Sequence, residues 1–298
     1  MTVLEAIKLS GDFLAKKGVD SPRLQAELLL ADVLKLPRMR LYLDFGRELT
    51  ETETKSLREL VRRRGTREPL QHILGTTNFC GLELKVTSAV LVPRPETELL
   101  AEEGWIFLQQ VERSQPRDEA LGARPDRCCL RALDLGTGSG CLAIILAVKC
   151  PKAEVWAVDV SKEALEVARQ NAEKHEVASR INFVEGDFLS AVPSGTEFDL
   201  IISNPPYIPS RELAGLQPEV RDFDPGRGLD GGVDGLEFYR LLAMQAALFL
   251  RLGGKVMFEF GDGQEHALQR MFEEQKWIVE AIREDYTRRP RLMVVRKG

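Results

Sequence analysis

Histidine is scarce in this chain: His72, His175 and His266 are the only three among 298 residues, and they stand far apart. A metal centre therefore has few ligands to draw on. Cysteine offers no framework either. The five cysteines (Cys80, Cys128, Cys129, Cys141 and Cys150) are odd in number and include no Cys-x-x-Cys pair. Neither a disulfide scaffold nor a zinc site is expected. No apolar run is long enough to cross a bilayer, and Met1-Thr2-Val3-Leu4-Glu5 lacks the basic and apolar regions of a signal peptide. A reducing cytoplasm is the expected setting, with no membrane and no metal involved. Positive charge is short as well: 41 Lys and Arg against 46 Asp and Glu leave a net charge of -5. That argues against non-specific nucleic-acid binding, whose affinity comes largely from phosphate neutralisation. Arg62-Arg63-Arg64 is a candidate basic patch, or else the solvated face of a helix.

What is present reads as an ordinary globular chain, with 44% hydrophobic and 29% charged residues and enough length for two domains. The first seventy or so residues follow helical spacing. Thr2 with Glu5 forms a capping box ahead of Leu4, Ile7 and Leu14. Ser21-Pro22 predicts a cap with proline at the first helical position, a buried stripe of Leu24, Leu28 and Ala31, and closure at Pro37. Thr50 with Glu53 forms a second capping box before Leu57, Leu60 and Val61. These elements predict a small helical bundle over residues 1–75. Phe79, Leu82, Leu84, Val86, Val90 and Val92, interrupted by Gly81 and Ser88, predict a β-hairpin linker over 76–92. Val92-Pro93-Arg94-Pro95-Glu96-Thr97-Glu98 then turns into a helix containing Leu99, Leu100 and Trp105. Arg113 to Arg127 is polar and proline-containing, an exposed connection by its composition.

From Arg131 onward strands alternate with helices, the pattern of an α/β sheet. Strands are expected at 132–135, 155–159, 181–185, 198–202 and 255–260, with a closing pair at 277–282 and 292–295. Helices are expected at 141–148, 162–174 and 236–250. The domain from residue 93 to residue 298 is thus read as a Rossmann-like sheet of seven strands.

Four of those strands end on a residue suited to hold a ligand, and carboxyl ends of strands are where open α/β sheets bind them. Asp134-Leu135-Gly136-Thr137-Gly138-Ser139-Gly140 follows the first strand. Its glycines permit a tight turn and close backbone approach, so the loop could serve a dinucleotide or be only a turn. Asp159 ends the second strand, where a carboxylate can accept both hydroxyls of a ribose or cap the next helix with Ser161. Asp187 and Phe188 follow the third, placed to meet an adenine amino group and ring. The fourth, Phe198 to Ile202, leads into Asn204-Pro205-Pro206-Tyr207. Proline ends ladder pairing there, and the residue before a proline is pushed towards extended backbone. Asn204 is therefore held at the strand's end with little freedom.

The spacing Gly-x-Gly-x-Gly after Asp134 departs from the Gly-x-Gly-x-x-Gly of nicotinamide enzymes and resembles motif I of class I S-adenosyl-L-methionine-dependent methyltransferases. Asn-Pro-Pro-Tyr is similar to the motif with which that superfamily methylates a planar nitrogen. Five segments occur in a characteristic order. They are Pro69 to Gly75, Val92 to Glu98, Asp134 to Gly140, Ser203 to Ile208, and Leu229-Asp230-Gly231-Gly232-Val233-Asp234-Gly235-Leu236. Together they resemble the HemK/PrmC family of release-factor glutamine N5-methyltransferases, over nearly the whole chain. Phe223-Asp224-Pro225 and Glu259-Phe260-Gly261 are conservative departures from its pattern.

The resemblance implies a class I methyltransferase domain behind a substrate-docking helical domain. The cofactor would be S-adenosyl-L-methionine, held by Asp134, Gly136, Thr137, Gly138, Ser139, Gly140, Asp159, Asp187, Phe188 and Asn204. The protein substrate would be a class I peptide chain release factor, methylated on the glutamine of its Gly-Gly-Gln tip, with no direct nucleic-acid requirement. Asn204, Pro205, Pro206 and Tyr207 would carry the reaction. The Asn204 oxygen and the Pro205 carbonyl would accept the two amide hydrogens, and Tyr207 would pack against the amide. No histidine base is required, because the proton can leave after the methyl arrives. Glu96 and Glu98 would line the cofactor entrance or cap the helix that follows. The same four strand ends could also grip a flipped adenine in an N6-adenine DNA methyltransferase.

Overall fold

The structure is a computed structural model that describes residues 1–114 and 129–298. The expected connection at 113–127 lies, from residue 115, outside the described residues, as does Cys128. The chain forms two compact units, one of Met1–Thr76 with Leu216–Phe223, the other of Thr77–Gly215 with Asp224–Gly298. No helix among the described residues is long and apolar enough to cross a membrane.

The first unit contains α1 (Val3–Lys16), α2 (Pro22–Leu34), α3 (Arg38–Leu41), α4 (Glu51–Gly65) and α5 (Leu70–Leu74). Both capping boxes form, with Thr2 and Glu5 opening α1 and Thr50 and Glu53 opening α4. Ser21 does not cap α2: its backbone is left-handed and its side chain makes no cap bond, so proline at the first turn sets the start. The chain leaves α2 at left-handed Lys35, ahead of Pro37. The stripe is also rotated from expectation. Leu24 is exposed, whereas Ala26, Glu27, Leu29 and Leu30 are buried with Ala31. Leu4 is exposed on α1, while Ile7 and Leu14 are buried. The rotation has a polar cause. Glu27 accepts from Arg23 at 3.1 Å, Arg38 at 3.0 Å and the Tyr42 hydroxyl at 2.8 Å. Burial pushes its pKa up, but the bonds from Tyr42, Arg23 and Arg38 outweigh this and hold it below the usual value.

Arg62-Arg63-Arg64 is not a free basic patch. Arg62 pairs with Glu59, Arg63 with Glu68, and Arg64 is buried rather than solvated. Arg64 reaches Gln25 at 2.6 Å and Glu219 at 2.8 Å, and Arg67 donates to both Glu219 oxygens at 2.6 Å. Glu219 thus ties Leu216–Phe223 to α4. Removing one partner of a buried pair leaves the other charge uncompensated. Glu219→Ala should cost about 2–3 kcal/mol, read as faster hydrogen exchange in α4 and in residues 216–223.

The second unit opens at Thr77, inside β1 (Thr76–Phe79), followed by β2 (Leu82–Lys85). It continues through α6 (Pro95–Ser114), β3 (Leu130–Leu135), α7 (Cys141–Lys149), β4 (Ala153–Asp159), α8 (Lys162–Lys174), β5 (Ile181–Glu185) and β6 (Phe198–Ser203). After α9 (Pro218–Arg221), within the segment grouped with the helices, come α10 (Glu237–Gln245), β7 (Leu250–Glu259), α11 (Glu265–Glu274), β8 (Trp277–Glu284) and β9 (Pro290–Lys297). The hairpin turn is Cys80-Gly81, both at positive φ, as a two-residue turn requires. Its strands end at Lys85, short of the expected Val92, because Val90 N–H bonds back to Thr87 and closes a turn. Val86 and Val90 are buried instead in a loop, against Ala164 and Val167 of α8. Asn171 of α8 also brackets Lys85, accepting from its N–H at 2.6 Å and donating to its carbonyl at 2.9 Å.

Among the described residues the main sheet has the seven strands expected, in the order β5-β4-β3-β6-β7-β9-β8. The first five are mutually parallel, and β9 is antiparallel to both its neighbours. Strand order reverses between β3 and β6, where Asp134 lies opposite Ile202. This is the switch point at which such sheets bind ligands. One apolar layer covers Ala132, Leu200 and Ile202, and the other covers Leu133 and Ile201. α10 ends at Gln245 and a short 3-10 turn follows, so β7 begins at Leu250 rather than 255. Between Phe198 and Leu200 its pairing jumps from Leu250 to Lys255. Gly253 and Gly254 sit in that irregularity.

Candidate active site

The glycine loop is held from behind by β4. The N–H groups of Gly136 and Thr137 both donate to the Val158 carbonyl, at 2.9 and 3.0 Å. Gly136, Gly138 and Gly140 all have positive φ. A Cβ on Gly140 would lie 3.0 Å from Ala168 of α8, so this glycine serves loop-to-helix packing. Ser139 offers its carbonyl to Asn171 at 2.9 Å.

Asp134 lies beneath this loop, 1% exposed. Its Oδ2 accepts from the Thr137 hydroxyl at 2.7 Å and from Ala143 N–H at 3.1 Å. Its Oδ1 is buried without a partner among the described residues. Burial raises its pKa to about 7, against the Thr137 and Ala143 bonds and with help from Asp159. A carboxyl whose pKa is raised on folding contributes stability fully below its unfolded value near 4. That contribution is lost as pH climbs through about 7. Asp134→Asn should therefore melt higher than wild type at about pH 8, with the margin closing near pH 5. Each tenfold change in proton affinity is worth about 1.4 kcal/mol. An unpartnered Asn amide returns about 1–3 kcal/mol of cost, so a gain of a few degrees in Tm is expected.

Asp159 does not cap α8. Ser161 does so, accepting from Ala164 N–H at 3.1 Å, while Asp159 accepts from Gly138 N–H at 2.8 Å and Ser161 N–H at 2.9 Å. Asp187 is exposed beyond β5. Phe188 stands at positive φ, edge-on to Phe238 with ring centroids 5.0 Å apart.

These strand ends enclose one cavity of about 480 Å³, walled by Gly136 to Ser139, Asp159, Asp187, Phe188, Asn204 and Pro206. Asp134 and Gly140 support that wall from behind, and Pro205 and Tyr207 are not part of it. Pro93 and Thr97 complete one side. Neither Glu96 nor Glu98 lines the cavity; Glu98 instead accepts Cys80 N–H at 2.7 Å and anchors the hairpin turn.

Asn204 follows β6, half-buried, and its Nδ2 donates to Thr97 Oγ1 at 3.0 Å. Thr97 in turn donates to Glu259 Oε2 at 2.7 Å. The loop beyond is braced from the Leu229 to Leu236 segment. Ile208 N–H bonds Leu229, Gly231 N–H bonds Ile208, and a Cβ on Gly235 would lie 2.4 Å from the Tyr207 carbonyl. Gln264 closes the brace, accepting from Gly261 N–H at 2.9 Å and donating to the Tyr207 carbonyl at 3.0 Å. Burial carries the Tyr207 hydroxyl up to about 12, with Glu259 adding to the rise. It is therefore a neutral donor and packing group. Thr97, Glu259 and Gln264 escape a residue-by-residue reading. Thr97 does fall within Val92 to Glu98, one of the segments that carry the family resemblance, and Glu259 lies in one of the departures from its pattern.

Two family descriptions match the chain: PrmC N-terminal domain over residues 5–75, and methyltransferase small domain over residues 123–215. A release factor glutamine methyltransferase of Geobacter sulfurreducens is 43% identical over 272 residues, 91% of this chain and 88% of that protein. Another, of Chlorobaculum tepidum, is 45% identical over 261 residues, 87% of this chain and 85% of that protein. Among solved structures, the hMettl16 catalytic domain in complex with a MAT2A 3'UTR hairpin shares the fold. It has a TM-score of 0.51 at 16% identity, covering 80% of this chain and 82% of that one.

Proposed function

The chain belongs to the release factor glutamine methyltransferase family, and from that membership we propose how its cleft performs the reaction. The protein is a methyltransferase acting on a release-factor glutamine, and S-adenosylmethionine is the methyl donor. The residues present fit that donor. The unpartnered Asp134 Oδ1 and three positive-φ glycines over β4 suit a cationic, polar ligand that needs close backbone approach. Asp159 would hold the ribose hydroxyls, Asp187 the adenine amino group, and Phe188 the ring. When bound there, S-adenosylmethionine supplies an electrophilic methyl group on a sulfonium centre.

The chain's own residues solve the remaining problem, which is that an amide nitrogen is a poor nucleophile. The Asn204 oxygen and the Pro205 carbonyl accept the two amide hydrogens of the glutamine, favouring the charge that develops on nitrogen as it attacks. The two prolines fix the direction of those acceptors, so alignment comes from positioning rather than from a base. Tyr207 packs on the substrate amide. The excess proton is lost to solvent water after methyl transfer. Asn204 carries this reading, because its Nδ2 is engaged by Thr97 and its oxygen is left to accept.

The helical domain, residues 1–75, docks on the body of a class I release factor, while residues 93–298 receive its Gly-Gly-Gln tip in the cytoplasm. The adenine alternative uses the same acceptors. It is disfavoured by the relatives' substrate and by the carboxylate pairing of Arg62, Arg63 and Arg64. Mass spectrometry of a release factor incubated with the protein and labelled S-adenosylmethionine tests the reading. One added methyl on the Gly-Gly-Gln glutamine is expected. An unmodified factor beside methylated adenine in duplex DNA would reverse the choice.

A further inference from the structure

An asparagine serves as an acceptor only if its amide is held one way round. Exchanging oxygen and nitrogen would present an N–H where the substrate needs a lone pair. At Asn204 the choice is made by two side chains distant in sequence. Thr97 Oγ1 lies 3.0 Å from Asn204 Nδ2 and 2.7 Å from Glu259 Oε2. The Thr97 hydroxyl has one proton, and an ionised carboxylate can only accept. That proton therefore goes to Glu259, which leaves the Thr97 oxygen to accept and Nδ2 as the only group able to donate. Thr97 is 1% and Glu259 3% exposed, so water offers little competition. The three residues come from the first turn of α6, the end of β7 and the exit of β6, rigid elements of one unit.

We propose that Thr97 and Glu259 are positioning residues that fix the Asn204 amide with its oxygen towards the substrate glutamine. This rests on the reading of Asn204 as the substrate's acceptor. The relay has a direction that protonation reverses. A neutral Glu259 can donate to Thr97, Thr97 can then donate to the Asn204 oxygen, and the flipped amide offers its N–H groups to the substrate's NH2, itself a donor.

The surroundings of Glu259 put this reversal in reach. Burial raises its pKa to about 7, the Thr97 bond opposes, Glu96 raises it, and Arg291 and Arg94 lower it. Tyr207 is neutral, and the Tyr239 hydroxyl donates to the Glu259 backbone carbonyl at 2.7 Å rather than to its carboxyl. The ionised form prevails above about pH 7, so turnover should fall as pH drops through that value.

The test uses the full chain, a release factor and S-adenosylmethionine. It compares wild type, Thr97→Val, Thr97→Ser and Glu259→Gln, with turnover measured from about pH 5.5 to 9. Affinity for S-adenosylhomocysteine, measured by calorimetry, reports on the cleft. Thr97→Val should lose about 10- to 100-fold in kcat with KM and S-adenosylhomocysteine affinity near wild type, and Thr97→Ser should recover most of the loss. The acid limb of the wild-type profile should vanish in Glu259→Gln. Full turnover in Thr97→Val, equal damage in Thr97→Val and Thr97→Ser, or an acid limb that survives Glu259→Gln would each overturn the relay. If Thr97→Val fails to bind S-adenosylhomocysteine, the Glu259→Gln profile decides. A wild type that methylates no release factor overturns the reading of the site and the relay with it. An active wild type beside a fully active Thr97→Val overturns the relay alone.

Discussion

Asn204→Ala should lower kcat by about 10²–10³-fold while leaving the Kd for S-adenosylmethionine within about threefold. The alanine keeps the backbone that two prolines stiffen, and the loop remains braced by Gln264 and by Gly231 and Gly235. What disappears is one acceptor aimed at the amide nitrogen, a loss felt mainly when charge develops there. A fall in kcat with little change in KM is the kinetic sign of an interaction made in the transition state. Asn204→Asp sharpens the test. It retains an oxygen, but two carboxylates would then share the single Thr97 proton, and like charges so placed cannot both ionise freely. Its turnover should lie between those of alanine and wild type. Stopped-flow or single-turnover methylation of a release factor measures both. Turnover of Asn204→Ala within a factor of about three of wild type would remove Asn204 from the reaction.

Legibility from the sequence followed the range of the forces involved. α8 starts and ends where its apolar spacing and Ser161 predict, and β5 matches residue for residue, because caps and alternation are local. The capping boxes of α1 and α4 form for the same reason. α11 was not legible. Only Leu268 and Phe272 are buried along it, and Gln264 at its start spends its side chain on Gly261 and Tyr207 instead of a cap. The α2 stripe turned towards Glu27, whose three donors come from 4, 11 and 15 residues away. The four strand ends that wall one cavity could be read as one crevice because parallel strands bring their carboxyl ends together. The hydrogen bonds from Asn204 to Thr97 and from Thr97 to Glu259 could not, since they join residues 107 and 162 positions apart. No spacing rule reaches that far.

Asp159→Ala should weaken S-adenosylmethionine binding by about 10- to 100-fold, the scale of one or two hydrogen bonds to a charged group. The carboxylate already receives Gly138 N–H and Ser161 N–H, yet an ionised carboxyl offers about four acceptor positions. Two therefore remain for a ribose. Alanine removes those two and also frees the Gly138 N–H, so the glycine loop loses a tether from β4 while Gly136 and Thr137 keep theirs. Asp159→Asn separates the two contributions. Its one oxygen can still hold a loop N–H, but its amide cannot accept both ribose hydroxyls. Calorimetry with S-adenosylhomocysteine should rank affinity as wild type above Asp159→Asn above Asp159→Ala. Thermal stability without ligand should instead fall chiefly in Asp159→Ala. Unchanged affinity in Asp159→Ala would leave the residue as a loop tether alone and move the ribose to another strand end. The contrast with Asn204→Ala is then diagnostic. One substitution stops turnover with the donor still bound, the other releases the donor from a site whose acceptors are intact, and only a cleft that divides the two tasks between neighbouring strands behaves that way.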